Sequence, residues 1–135
     1  MLTIMADNDV ENHVSILINI LGTEPWREVT LDLDIRVQTF ETLGLPRNAA
    51  DETLWQTCQA HNVVLITGNR NDDGPDSLEA AIRTSNQVSS LPVFTIANRQ
   101  RITSDKEYAH RTAAKLLEYL FDLGKYHGTG RLYIP

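Results

Sequence analysis

The chain has 135 residues, of which 41% are hydrophobic and 22% charged, enough apolar side chain for one core and too much for wholesale disorder. Its single cysteine, Cys58, excludes an internal disulfide and any zinc site built on several thiolates. A net charge of −6 disfavours general attraction to nucleic acid or anionic lipid, and the longest apolar stretch, Ile16–Leu21 with Asn19 inside it, falls far short of the roughly 20 residues of a membrane span.

In chain order, Leu2–Met5 is a short apolar run suited to a buried strand. Asp7, Asn8 and Asp9 follow, all good N-cap residues, before Val10, Val14, Leu17, Ile18 and Leu21 recur at helical spacing up to Gly22. Between residues 24 and 47, Pro25 opens a short helix and Arg36–Phe40 reads as a strand, with Gly44 and Pro46 in the next loop. Asn48–Asp51 starts a helix whose apolar face holds Leu54, Trp55 and Cys58 and which ends near His61–Asn62. Val63–Thr67 is the clearest strand, followed by a loop from Gly68 to Pro75. Asp76 or Ser77 then opens a helix carrying Leu78, Ala81 and Ile82, and Val93–Ala97 is a further strand. Ser104 or Asp105 caps a long helix with Ala109, Ala113, Leu116, Leu117, Leu120 and Leu123 on one side, ended by Gly124, and Arg131–Ile134 suits a last strand.

This alternation predicts an α/β domain spanning residues 1–135, three-layered α/β/α with a mostly parallel sheet. With no basic leader at the start and no membrane segment, the expectation is a soluble cytoplasmic protein. The charge is uneven: residues 1–60 hold ten acids and three bases, residues 61–135 eight acids and nine bases.

Ligands of open parallel sheets bind beyond the carboxyl ends of the strands. Asp7, Asn8 and Asp9 follow the first strand there. Gly68, Asn69, Arg70, Asn71, Asp72 and Asp73 follow the central one, and Asp51 and Glu52 open a helix. Carboxylates brought together repel one another unless a cation lies between them, and an oxygen-only donor set suits Mg²⁺ or Mn²⁺. Such a metal activates water and steadies the leaving oxygen of a phosphodiester. Each residue also has a purely structural reading. Asp7 and Asp9 suit N-caps, Asp51 and Glu52 suit first-turn acids complementing the helix dipole, and Asp72, Asp73 and Asp76 suit a solvated loop.

The segments D-E-T-L-W at Asp51–Trp55 and V-L-I-T-G-N-R-N-D-D at Val64–Asp73 resemble the small, toxin-type members of the PIN-domain and PIN-like superfamily. The resemblance covers roughly residues 2–97. It implies a PIN-like fold and a metal-dependent nuclease cleaving single-stranded RNA, often as a toxin held by an antitoxin-like partner protein. It also implies an acidic Mg²⁺ or Mn²⁺ site drawn from Asp7, Asp9, Asp51, Glu52, Asn69, Asn71 and Asp72. Asp7, Asp51 and Asp72 would be catalytic. Where the family usually has Asp after the V-L-I-T strand this chain has Asn69 and Asn71, which offer carbonyl oxygens but no charge. A non-catalytic binding module with a degenerate metal site is therefore the alternative. A receiver-like phosphotransfer domain fits poorly, having neither an Asp at position 69 nor a Lys between Val93 and Arg101.

Arg70 could hold a substrate phosphate or simply neutralise the neighbouring acids. Arg99, Arg101, Lys106, His110 and Arg111 form the local basic cluster, with Arg99 and Arg101 suited to a nucleic-acid backbone and, equally, to ion pairs with Asp105 and Glu107. No P-loop and no G-x-G-x-x-G occurs. Cys58 reads as core and the four histidines as surface, while Trp26 and Tyr126 would stack on bases only if exposed. The long helix at Ser104–Gly124 has an apolar face wide enough to pack on the sheet or to pair with a second chain as a homodimer.

Overall fold

A computed structural model describes residues 1–69 and 77–135. Among the described residues it is an α/β structure with five strands, β1 (Leu2–Ala6), β2 (Ile35–Gln38), β3 (Val63–Thr67), β4 (Val93–Ile96) and β5 (Arg131–Ile134), all parallel in the order β2-β1-β3-β4-β5. Among the described residues there are six helices: α1 (Glu11–Leu21), α2 (Arg27–Leu33), α3 (Asp51–Ala60), α4 (Leu78–Ser85), α5 (Arg99–Ser104) and α6 (Lys106–Phe121), followed by a 3₁₀ turn at Leu123–Tyr126. None of these helices is long and apolar enough to cross a membrane.

Strand periodicity creates the layers. Ile4, Ala6, Val64, Ile66, Phe94, Ile96 and Ile134 point to one face, where they pack with Val14 and Leu17 of α1 and Ala113, Leu116 and Leu120 of α6. Met5, Val63, Leu65 and Val93 point to the other, against Leu54, Trp55 and Cys58 of α3 and Leu78 and Ile82 of α4. β3 is buried along its whole length, which is why it reads as an unbroken apolar run rather than an alternating one. The long helix thus packs on the sheet through the face that its spacing predicts.

Several boundaries differ from those expected. α1 begins at Glu11 and its N-cap position is Val10, with no side-chain cap, so Asp7, Asn8 and Asp9 do not cap it. The second strand is Ile35–Gln38 rather than Arg36–Phe40, and Phe40 instead turns into the core beneath α3. α6 ends at Phe121, two residues before Leu123. α5 has no counterpart in the expected elements, because only Ile102 of its six residues is buried and so short a polar segment carries no helical period. Asp105 does cap α6, accepting from Tyr108 N at 3.1 Å, and Ser77 caps α4, accepting from Ala80 N at 3.1 Å.

Cys58 is buried against Met5, and burial pushes its thiol up to about 12. His61 and His127 are exposed, whereas His13 and His110 are half-buried. Trp26 is half-buried against His110 and Tyr126 lies edge-on to Tyr119, so neither is an open stacking platform.

Candidate functional site

The sheet order places a switch point between β1 and β3, since the chain leaves β1 toward β2 on one side and later returns as β3 on the other. At the carboxyl ends of these two strands lies a cleft of about 430 Å³. Asp7, Asp9, Asp51 and Asn69 line it, together with Asn8, Phe40, Arg47, Asn48, Gly68 and Arg99. Three carboxylates foreseen as ligands, Asp7 and Asp9 just after β1 and Asp51 at the start of α3, therefore share one cavity.

Asp7 extends the β1 ladder, its N–H donating to Ile66 O at 2.8 Å, which fixes its side chain at the strand end. The residue is only 7% exposed. Its Oδ1 accepts from Asn8 N at 2.7 Å and its Oδ2 from the Thr67 hydroxyl at 2.9 Å, while that hydroxyl accepts from Asn69 N at 3.0 Å. Burial pushes the Asp7 carboxyl above its ordinary pKa. The Thr67 hydroxyl and the Asn8 N–H oppose that shift, and the negative charges of Asp9 and Asp51 add to it.

Asp51 is the first residue of α3, yet it serves other elements. Its Oδ2 accepts from Leu78 N, at the start of α4, and from Asn69 Nδ2, both at 3.1 Å. The Asn69 amide is thus a donor to Asp51. A carboxylate there would face Asp51 with like charge. Asp9 accepts from Arg99 Nη1 on Oδ2 at 3.1 Å and, more weakly, from Gly68 N on Oδ1 at 3.4 Å.

Other foreseen residues lie elsewhere. Glu52 is exposed on α3, outside the cleft lining, and accepts from Gln56 at 3.3 Å. Arg101 pairs with Asp105 at 2.8 Å and lies over the Tyr108 ring at 4.3 Å. Lys106 and His110 line a separate hollow beside Ile16 and Ile20. Of the basic cluster only Arg99 reaches the cleft. Arg70, Asn71, Asp72, Asp73 and Asp76 lie outside the described residues.

Two groups were missed by sequence reasoning. Arg47 lines the cleft from the loop before α3, paired with Glu11 and with Glu41 at 3.1 Å, its guanidinium 5.4 Å from the Phe40 ring centre. Its place before the D-E-T-L-W motif was the available clue. Thr67 was visible only as the end of a strand, and its contact with Asp7 spans 60 residues of sequence.

In kind, the donor set suits a hard divalent cation: carboxylate oxygens, with no thiolate or imidazole in the lining. In position, each carboxylate is held by protein donors, and among the described residues no three acids, histidines or cysteines are gathered tightly enough to hold an ion. No family model, curated protein or solved structure matches the chain.

Proposed function

We propose that the cleft is a Mg²⁺- or Mn²⁺-dependent site for cleaving single-stranded RNA in a PIN-like protein. The observation that carries this reading is the shared cleft of Asp7, Asp9 and Asp51 at the switch point of a parallel sheet. To hold the cation, Asp7, Asp9 and Asp51 would have to leave their protein donors and draw together; once bound, it would supply the positive charge that polarises a phosphodiester and acidifies water. Thr67 orients Asp7 through its hydroxyl. Arg47 and Arg99, flanking the acids, would take phosphate oxygens and align the strand. The site of action would be the cytoplasm. An antitoxin-like protein or a second copy of the chain would find an apolar hollow between α2 and α6, lined by Val29, Leu117 and Phe121.

The test is calorimetric titration with Mn²⁺ followed by an RNA cleavage assay, on the wild type and on the double variant Asp7→Asn, Asp51→Asn. Asparagine keeps an acceptor oxygen for Asn8 N and Leu78 N, so the fold should persist. Saturable Mn²⁺ binding and cleavage, both lost in the double variant, are expected. Undiminished cleavage by the variant would sink the assignment.

One observation favours a second reading, a non-catalytic binding module. Asn69 Nδ2 donates to Asp51 Oδ2 at 3.1 Å, so an internal hydrogen bond stands where a cation would otherwise draw these groups together. A folded wild type that binds no Mn²⁺ up to millimolar concentration would select this reading.

A further inference from the structure

Among the described residues β2 is an edge strand, bonded to β1 on one side only. Leu2 N donates to Asp34 O at 3.2 Å, and Leu2 stands opposite Ile35. In a parallel ladder a strand bonds through the peptide groups that flank the residue opposite, so Asp34, Arg36 and Gln38 turn theirs toward β1. The N–H and C=O of Ile35 and Val37 therefore point outward, away from the sheet. Val37 stands opposite Ile4, so its side chain lies on the face of the sheet that α1 and α6 cover. That cover stops short of β2. Val37 is 52% exposed and, with Val14 and Ile18 of α1, lines a hollow of about 320 Å³. Edge strands are normally blunted by a proline, a bulge or a charge in the strand's path. β2 has no proline, and its four residues pair with β1 in unbroken register. Its one charge, Arg36, lies on the opposite face of the sheet and is held by Asp34 at 3.1 Å.

We propose that β2 and this hollow form a docking edge for an extended segment of a partner protein, cationic and apolar, which adds to the sheet as a further strand. The proposal does not depend on a cation in the cleft, and the surface is separate from the hollow between α2 and α6. Outward N–H and C=O groups on alternate residues are the complement of another strand's backbone, so they select a polypeptide. Alternate side chains of that strand would face the hollow, and an apolar one would seat on Val14, Ile18 and Val37. Charge sets the rest. Glu11 is the one ionisable residue in the hollow's lining, and residues 1–60 hold ten acids against three bases. A lysine or arginine beside the apolar anchor meets that field favourably. A second copy of this chain fits poorly, because pairing β2 with its own image would bring two acidic halves together. The same acidity repels nucleic acid.

The experiment is fluorescence anisotropy of the full chain with a labelled peptide, Lys-Val-Thr-Val-Thr-Val-Lys, as the probe. It compares the wild type, Val37→Pro and Val37→Ser, each shown to be folded by urea unfolding. Proline removes the outward N–H at position 37 and leaves the ladder to β1 intact, whereas serine keeps that N–H and removes the apolar side chain. The wild type should bind with a Kd below about 1 mM. Val37→Pro should weaken binding about tenfold and Val37→Ser about threefold, the scale of a hydrogen bond with an apolar contact and of the contact alone. A peptide with Glu in place of Lys should bind about fivefold more weakly, and the gap should close in about 0.5 M salt. Sedimentation of the wild type and of Val37→Pro should match. The docking edge is overturned if the wild type leaves the peptide free up to about 1 mM, if either folded variant binds as tightly, or if the acidic peptide binds as well as the basic one. A wild-type dimer that Val37→Pro dissociates overturns it too, since the occupant is then a second copy.

Discussion

The guanidinium of Arg131, at the start of the edge strand β5, donates to the carbonyl of Asn69 at 2.7 Å across 62 residues of sequence. The same nitrogen donates to the Thr95 hydroxyl at 2.6 Å, and the group pairs with Glu79 in the first turn of α4 at 2.9 Å. Its side chain is only 7% exposed. One buried charge therefore ties β4, α4 and the end of the β3 segment beneath the cleft. Removing one partner of a buried pair costs about 3–5 kcal/mol, and because Glu79 is one-third exposed the cost should fall to or below the bottom of that range. Arg131→Met should destabilise the protein by roughly 2–3 kcal/mol in urea unfolding. Adding Glu79→Leu should restore part of the loss, since the stranded carboxylate is then gone. A loss under about 0.5 kcal/mol would show that Arg131 braces nothing.

Asp7 should tune stability with pH. Its carboxyl is raised in the folded state, so the proton is held more tightly there than in the unfolded chain. The stabilisation from that proton is complete below the ordinary pKa of 3.8 and is lost as pH rises through the raised value. At neutral pH the ionised Asp7 is thus a burden. Asp7→Asn should add about 1 kcal/mol at pH 7 while flattening the acid limb of the profile, as is common where function and stability conflict. An unchanged profile in pH-dependent urea unfolding would refute this.

Asn69→Asp tests the amide that faces Asp51. The substitution removes a donor and introduces like charge at a 3.1 Å contact, so the metal-free protein should lose about 1–2 kcal/mol. Millimolar Mn²⁺ should return most of it through binding to the folded state alone. A variant as stable as the wild type without metal, and indifferent to Mn²⁺, would show that position 69 does not control the cleft.

Cys58 should be inert. With its thiol buried beside Met5 and pushed up to about 12, almost no thiolate exists at pH 8. A colorimetric disulfide reagent should fail to react with the native protein and react at once in denaturant. Rapid native reaction would mean that the face between the sheet and α3 opens readily.

The layers and most strands were legible because β3 and β4 are β-branched or apolar runs bounded by turn residues and because the face of α6 repeats at helical spacing. β2 was misjudged by a residue at its start and two at its end. It is an edge strand with exposed Arg36 and Val37, so neither burial nor alternation marks where it stops. The meeting of Asp7, Asp9 and Asp51 was also legible, since strand order alone carries these segments to one edge. Their partners were not. Whether Asn69 offers oxygen or nitrogen, which arginine of the basic cluster faces inward, and that Arg131 runs beneath the cleft are settled by contacts between segments far apart in the chain. No local pattern encodes them.

The all-parallel order has a consequence for how the protein comes into being. Parallel neighbours cannot be joined by a hairpin, so every strand pair waits for a long crossover to be laid down. β1, made first, acquires its central-side neighbour only when residues 63 to 67 exist, about half the chain later. The support that Arg131 gives to Asn69 arrives later still, with the last strand. During synthesis the acidic pocket is therefore finished only once residues 131 to 134 have been made. Until then a nascent chain would carry Asp7 and Asp51 without the support that shapes their shared cleft. Long-range pairing of this kind also slows folding.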